Sequence, residues 1–236
     1  MELNIYDTKI SVARHFADYL VNKMKGAGPY HIALSGGSTP RILFEELSHT
    51  EKYDIEWKKV NLYWGDERCV PPSDQESNFG MTEDYLLRNI QIPRGNIHRI
   101  KGENDPEQEA KRYGNLLDRE LPEADGVPVF DLVILGMGED GHTASIFPHE
   151  IGLWDSDRNC EVAIHPESGQ KRVTITGRVI NQSREVAFLV TGAGKADKVA
   201  SILEKQKGYR QYPAALVDPV DGKLSWYLDK EAASAL

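Results

Sequence analysis

Four short apolar segments, each followed by a glycine, most constrain what this 236-residue chain can fold into. They cover residues 30–35, 60–64, 130–135 and 185–191. The segments 130–135 and 186–190 read as nearly continuous apolar runs, which is typical of strands buried on both faces of a parallel sheet. Segments with helical spacing of apolar residues alternate with them. This order predicts an α/β protein built around a mostly parallel sheet.

The same periodicity locates the remaining elements. Asp105 and Pro106 are typical of a helix N-cap followed by a first-turn proline. Further strands are predicted at 172–176, 214–217 and 224–228. No Gly/Ser-rich or Pro-rich run divides the chain, so we expect a single domain over residues 1–236. The predicted helices cover 7–25, 40–48, 78–90, 105–121 and 194–205.

Charge and composition exclude several classes of partner. The formal net charge of −9 argues against a nucleic acid or an anionic membrane surface, because both attract an excess of Lys and Arg. No apolar run is long enough for a membrane span, and the N-terminal residues lack a signal-peptide pattern. We therefore expect a cytoplasmic protein. Cys69 and Cys160 are expected to be free thiols, and no cluster has the spacing of metal ligands.

The first of four chemically unusual strand ends is a glycine-rich loop. In open α/β sheets, ligands bind at the carboxyl ends of the strands. Gly36 and Gly37 allow the backbone to approach a ligand, and Ser38 or Thr39 is expected to cap a helix that has Pro40 in its first turn. Such a helix N-terminus binds anions. The motif alone leaves phosphate binding and a plain strand-to-helix turn equally open.

Two further strand ends carry cations. The segment 64–68 ends in Arg68, whose planar guanidinium suits a phosphate, although a charged triplet can also be a solvated turn. The segment 191–195 ends in Lys195, but it is not a P-loop because no Ser or Thr follows the lysine. A lysine at a helix start opposes the helix dipole. This unfavourable placement favours a functional role for Lys195, such as supplying a second positive charge to the phosphate.

The fourth strand end contains a literal G-x-G-x-x-G at 136–141, so a dinucleotide site has to be weighed. The motif lies past the middle of the chain, and Pro148 is expected to end any following helix after about a turn and a half. Glu161 does stand 20 positions beyond Gly141, so the spacing of an acidic residue leaves a nucleotide-binding oxidoreductase open. His142 is more informative, because a histidine at such a strand end can act as a general base.

Together these segments resemble the 6-phosphogluconolactonase family. The related glucosamine-6-phosphate deaminase/isomerases share a similar glycine loop and Asp-Gly-His segment. Gly-Gly-Ser at 36–38, Asp-Glu-Arg at 66–68 and the lack of an Asn-Glu pair directly after Phe147 favour the lactonases. The matching segments are 34–40, 64–68, 77–81, 136–148, 172–176 and 191–196.

The resemblance implies a three-layer αβα sandwich with a modified Rossmann-like sheet. It also implies hydrolysis of 6-phospho-D-glucono-1,5-lactone to 6-phospho-D-gluconate, in the oxidative pentose phosphate pathway, with no cofactor and no metal. A deaminase/isomerase-like enzyme and a non-catalytic sugar-phosphate sensor remain as alternatives.

The resemblance also assigns roles to individual residues. His142 is the expected general base, Asp140 is expected to orient it, and Asp66 is expected to orient groups in the pocket. The residues expected to bind the substrate phosphate are Gly36, Gly37, Ser38, Thr39, Arg68 and Lys195.

Overall fold

The main sheet contains the four glycine-terminated segments as neighbours. The computed structural model describes residues 1–26 and 28–236. Every neighbouring pair of strands in this sheet runs parallel. The spatial order of its strands is β1 (Glu2–Tyr6), β12 (Lys223–Asp229), β11 (Glu185–Val190), β8 (Leu132–Leu135), β2 (Tyr30–Leu34), β3 (Val60–Trp64) and β5 (Ile97–His98).

Two smaller sheets and several helices complete the described part of the chain. An antiparallel sheet has the order β4 (Asp66–Arg68), β10 (Lys171–Ile175) and β9 (Cys160–Ile164). A hairpin pairs β6 (Glu123–Ala124) with β7 (Val127–Pro128). The α-helices are α1 (Lys9–Met24), α2 (Ser38–Leu47), α3 (Asn78–Tyr85), α4 (Pro106–Glu120), α5 (Gly177–Asn181) and α6 (Ala196–Leu203).

Helices cover both faces of the main sheet. Phe16 of α1 meets Tyr227 of β12 edge-to-face, with ring centroids 4.8 Å apart. Successive side chains of a strand point to opposite faces, so Trp226 points away from α1. Trp226 lines a cavity together with Ile202 and Leu203 of α6. The predicted three-layer α/β architecture is therefore confirmed.

The chain leaves the main sheet for the antiparallel sheet at Gly65. The Gly65 N–H donates to the Leu34 carbonyl at 2.8 Å, and the Gly65 carbonyl accepts from the Ile175 N–H at 2.8 Å. The buried Tyr113 hydroxyl of α4 holds both the N–H and the carbonyl of Trp64, at 2.9 and 3.0 Å. These bonds fix the direction in which β4 crosses the carboxyl edge of the main sheet.

Most predicted elements are confirmed, and three expectations are wrong. The predicted strand at 214–217 is a 3₁₀ helix, Pro213–Leu216, because the Ala214 N–H bonds to the Gly141 carbonyl instead of joining a ladder. Neither Ser38 nor Thr39 caps α2, whose N-cap is Gly37.

The third wrong expectation is a helix that follows 136–141. No helix begins between this segment and Pro148, because the chain forms a bridge between Thr143 and Ile146 instead. Six strands within the described part of the chain were not predicted: β1, β4, β5, β6, β7 and β9. None of the helices in the described residues is long and apolar enough to cross a membrane.

Replacing Gly177 with alanine should destabilise the fold. A Cβ at Gly177 would lie 2.4 Å from the indole carbons of Trp154, so the ring would have to move within packed surroundings. Such overpacking costs about 1–3 kcal/mol in the free energy of unfolding. Urea denaturation should show this loss, whereas Gly152→Ala, whose Cβ would meet no atom within 4 Å, should show no overpacking penalty. Equal stability of the two variants would contradict the packing described here.

Candidate active site

Four neighbouring strands, β11, β8, β2 and β3, place their following loops along one edge of the sheet. Chain direction diverges between β2 and β8, since β2 leads to β3 on one side and β8 leads to β11 on the other. Such a switch point is where open α/β sheets bind ligands. The Thr39 and Thr191 hydroxyls lie 2.8 Å apart and join the first loop to the fourth. The predicted site residues therefore lie on one edge.

The N-terminus of α2 is open. Gly37 has a φ of 110° and makes no side-chain cap. The first N–H groups of a helix have no partner within the helix, so those of α2 remain able to bind an anion. A Cβ at Gly36 would lie 1.9 Å from Asn78 Oδ1, so only glycine fits there. Asn78 is itself held by a 2.9 Å bond from its Nδ2 to the Asp66 carbonyl.

Two arginines lie side by side on the antiparallel sheet, and Arg68 lines a groove together with Gly37 at this helix end. Arg68 and Arg172 are cross-strand partners in β4 and β10. Arg68 donates from Nη1 to the Glu76 carbonyl at 2.7 Å, and its buried Nε has no partner in the described residues. Burial and then the charge of Arg68 lower the pKa of the Arg172 guanidinium. Sequence reasoning missed Arg172, although it opens one of the segments that carried the family resemblance.

Lys195 lies in the loop after β11, which the Thr39–Thr191 contact joins to the loop after β2. Its segment, Ala193–Lys195, forms a 3₁₀ helix directly before α6. Burial lowers the pKa of the Lys195 ammonium, although Glu139 and Asp140 oppose this effect. Across residues 1–26 and 28–236, Arg68, Arg172 and Lys195 each lack an ion pair with a carboxylate. Within the described residues, the site thus holds three cations that have carboxylates nearby but none within ion-pair distance.

His142 and Asp140 form a hydrogen-bonded pair. Nδ1 of His142 lies 2.6 Å from Oδ1 of Asp140, which also accepts the His142 N–H at 3.1 Å. Burial raises the pKa of Asp140, but the hydrogen bond and charge of His142 outweigh it and lower the pKa to about 2. An ionised carboxylate can only accept, so Nδ1 carries the proton. Nε2 of His142 is then left as an acceptor for a proton.

Asp66 contacts the loop that carries His142. Its Oδ2 accepts from the Ser145 hydroxyl at 2.6 Å, and the Ser145 N–H donates to Thr174 Oγ1 at 3.2 Å. Between His142 and Ser145, Ala144 has a φ of 47°, a left-handed conformation that is uncommon for alanine. Sequence reasoning found Asp66 but missed Ser145 and Thr174. The carboxylate of Asp66 therefore ties the His142 loop to the antiparallel sheet.

The ring of Phe147 packs between His142 and Arg172. Its ring centroid lies 4.7 Å from that of His142 and 5.3 Å from that of His165. The Arg172 guanidinium lies over the same ring, 5.5 Å from its centroid. His165 was expected to be a surface or structural residue, and its Nδ1 accepts the N–H groups of Glu167 and Ser168 in its own hairpin.

A groove adjoins the cationic part of the site. It has a volume of about 810 Å³ and is lined by Gly37, Arg41, Arg68 and Asn78 among others. The described residues contain no group of three or more His, Cys, Asp or Glu side chains that could hold a metal ion. Cys69 and Cys160 are free thiols, and burial raises the pKa of each.

Comparison with known proteins identifies the relatives of this chain. A family model described as "Glucosamine-6-phosphate isomerases/6-phosphogluconolactonase" matches residues 7–226. A protein of Haemophilus influenzae named 6-phosphogluconolactonase is 46% identical over 209 residues, which cover 88% of each chain. A protein of Treponema pallidum with the same name is 44% identical over 202 residues, covering 86% of this chain and 84% of that protein.

Solved structures agree with these relatives. The structure of 6-phosphogluconolactonase from Trypanosoma brucei matches with a TM-score of 0.87 at 31% identity, covering 100% of this chain and 98% of that one. A monomeric glucosamine-6-phosphate deaminase matches with a TM-score of 0.85 at 21% identity, which shows a shared fold alone. The chain therefore belongs to the glucosamine-6-phosphate isomerase/6-phosphogluconolactonase family.

Proposed function

We propose that this protein hydrolyses 6-phospho-D-glucono-1,5-lactone to 6-phospho-D-gluconate. The relatives named 6-phosphogluconolactonase support the lactone-hydrolase activity. The observation that carries the mechanism is the His142–Asp140 pair on the same sheet edge as three cations without carboxylate partners. The direct test is hydrolysis of freshly generated substrate, corrected for spontaneous ring opening. Ammonia release from glucosamine 6-phosphate, or binding without turnover, would instead favour a deaminase or a sensor.

The substrate phosphate binds between the open N-terminus of α2 and the three cations. Arg68 and Arg172 approach it from the antiparallel sheet, and Lys195 approaches from the loop after β11. The helix end supplies N–H groups and a partial positive charge. This binding holds the lactone in a fixed orientation relative to His142, which lowers the entropic part of the barrier.

His142 acts as a general base and then as a general acid. Its Nε2 takes a proton from a water, whose oxygen attacks the lactone carbonyl carbon to form a tetrahedral intermediate. Backbone N–H groups of the glycine-rich loops stabilise the oxyanion. When the intermediate collapses, the bond from the carbonyl carbon to the ring oxygen breaks, and the imidazolium returns its proton to that oxygen. One water is consumed and no cofactor or metal takes part.

Asp140 and Asp66 support this reaction without contacting the reacting atoms. Asp140 fixes the Nδ1–H tautomer of His142 and stabilises the imidazolium once it forms. Asp66 holds the loop after His142 through Ser145. The ligand is a small sugar phosphate and not a nucleic acid, which is consistent with a net charge of −9. We also propose that the protein acts in the cytoplasm.

Removing any one of the three cations should weaken substrate binding. Loss of a charge-assisted hydrogen bond costs about 1.5–3 kcal/mol, so Arg68→Ala, Arg172→Ala and Lys195→Ala should each raise KM by about 10- to 100-fold. Steady-state kinetics should show a smaller effect on kcat. Turnover of unphosphorylated glucono-1,5-lactone should change little in these variants. The exposed Arg94 gives a control variant, Arg94→Ala, that should behave as wild type. Unchanged KM in all three site variants would refute this phosphate site.

Asp140→Asn should lower kcat by about 10²- to 10⁴-fold, because loss of the carboxylate that sets the tautomer of the catalytic histidine in a Ser-His-Asp triad costs up to about 10⁴-fold. The amide can present a donor to Nδ1, which destabilises the required tautomer. Because the pKa of Asp140 is lowered to about 2, the wild-type carboxylate stays ionised in any neutral assay. The deficit of the variant should therefore stay constant between about pH 8 and pH 9, above the ordinary titration range of histidine. A deficit that grows or vanishes within this range would contradict the assigned charge state.

A further inference from the structure

Glu67 is a buried carboxylate to which the proposed reaction assigns no role. Its exposed fraction is 2%, and no Lys, Arg or His of the described residues forms an ion pair with it. Its Oε1 accepts the N–H groups of Arg68 at 2.8 Å and Asn78 at 2.7 Å. Its Oε2 accepts the Phe79 N–H at 2.7 Å and the Ser77 hydroxyl at 3.1 Å. Four donors therefore converge on one unpaired carboxylate.

The ionised form of Glu67 is the one that fits this arrangement. Burial raises the pKa of Glu67 to about 7, while the backbone N–H groups of Phe79, Asn78 and Arg68 act in the opposite direction. The three backbone N–H groups can only donate, so a protonated carboxyl would have only the Ser77 hydroxyl to accept its hydrogen. Burying a carboxylate without a cation is costly, so the contacts that it makes must offset that cost.

Three of these four contacts lie at the N-terminus of α3. The Ser77 hydroxyl also accepts the Gly80 N–H at 3.0 Å, so this helix end is occupied by a side-chain cap and by a carboxylate. The N-terminus of α2, by contrast, has no side-chain cap. The two ends are neighbours, because Asn78 contacts Gly36 and both Gly37 and Asn78 line one groove. Two helix ends therefore meet here, and the protein supplies an anion to only one.

Glu67 also fixes the backbone of Asn78 and Arg68, two residues at the proposed phosphate site. Its bond to the Asn78 N–H holds the side chain that packs against Gly36. Its bond to the Arg68 N–H holds the backbone from which that guanidinium extends. The segment that it ties down includes the Glu76 carbonyl, which accepts from Arg68 Nη1 at 2.7 Å. Removing the Glu67 carboxylate would therefore disturb the positions of both Arg68 and the loop before α2.

We propose that Glu67 is a positioning residue that serves as the internal anion of α3 and so leaves the N-terminus of α2 and Arg68 as the phosphate site. This inference rests on the proposed function, since it concerns the same phosphate. Glu67 does not touch substrate. It acts by closing one helix end to outside anions and by setting the geometry of the other.

The test compares Glu67→Gln with Glu109→Gln. Glu109 is buried to a similar degree, at 1% exposure, but its side-chain partners are Lys101, Asn104 and Arg112, none of which is a proposed site residue. The variants are measured for thermal unfolding, for 6-phosphogluconate binding by calorimetry, and for KM and kcat. Both substitutions should lower the melting temperature. Only Glu67→Gln should weaken 6-phosphogluconate binding and raise KM, by about 10- to 100-fold, while kcat falls less.

Three outcomes separate the possibilities. Weakened binding in Glu67→Gln with normal binding in Glu109→Gln supports the proposal. Normal binding in both, or equal loss in both, overturns it, because the effect of Glu67 would then be absent or merely structural. If the wild-type protein itself fails to bind 6-phosphogluconate, the proposed function fails, which the wild-type titration reveals without reference to either variant.

Discussion

His142→Ala should lower kcat by about 10²- to 10⁴-fold, the range that general-base catalysis contributes in enzymes. The substitution removes the ring nitrogen that accepts the proton of the attacking water. It leaves Arg68, Arg172, Lys195 and the α2 N-terminus in place, so the affinity for 6-phosphogluconate should change little. Single-turnover kinetics with freshly generated lactone, together with calorimetric binding of 6-phosphogluconate, separates these two effects.

His165→Ala provides the matched control for this experiment. His165 also packs against Phe147, but its Nδ1 is engaged by its own hairpin. That variant should retain kcat within a few-fold of wild type. A folded His142→Ala protein with near-wild-type turnover would remove His142 from the mechanism. If His165→Ala showed the large loss instead, the base would have to be assigned to the other side of Phe147.

The central sheet could be predicted because its strands are buried on both faces. Residues 132–135 and 186–190 are apolar without interruption, and both lie in central strands where strands were predicted. The glycines after these strands also located the four loops, since a chain that turns sharply at a sheet edge favours glycine. The sequence thus placed Gly36, Arg68, His142 and Lys195 on one edge, where the structure has them.

Elements without such continuous burial were harder to predict. The strand β1 lies at the sheet edge and exposes Leu3 and Ile5, so its pattern does not stand out. The three-residue strand β4 owes its pairing to β10, more than 100 positions later in the chain, and local periodicity carries no information about such a partner. The same separation hid Arg172, which becomes informative only when β10 pairs with β4.

Contacts between loops also could not be predicted from the sequence. Ser145 is an ordinary serine until the fold places its hydroxyl 2.6 Å from the Asp66 carboxylate. The expected cap at Ser38 or Thr39 was wrong because Thr39 turns instead toward Thr191. The open end of α2 is thus a property of the tertiary structure, and it is the property that allows an anion to bind there.

Gly138→Ala should lower kcat by about 100-fold or more, although it leaves every candidate catalytic side chain present. A Cβ at Gly138 would lie 2.2 Å from His142 Nδ1 and 2.5 Å from Asp140 Oδ1, so it would clash with both hydrogen-bonded atoms at once. The backbone at Gly138 does not have a positive φ, so alanine is tolerated there conformationally. The imidazole and the carboxylate must therefore both shift away from the new methyl group, and the orientation of Nε2 changes with them.

Gly136→Ala is the control within the same loop, because its Cβ would meet no atom within 4 Å and its φ is not positive. That variant should keep kcat near the wild-type value. Gly138→Ala should still bind 6-phosphogluconate, since the cations and α2 lie outside the clash. Retained binding with lost turnover would show that the 2.6 Å contact between His142 and Asp140 governs the chemical step. Full activity in Gly138→Ala would mean that catalysis does not depend on this pair. The assignment of Nε2 of His142 as the general base would then no longer be supported.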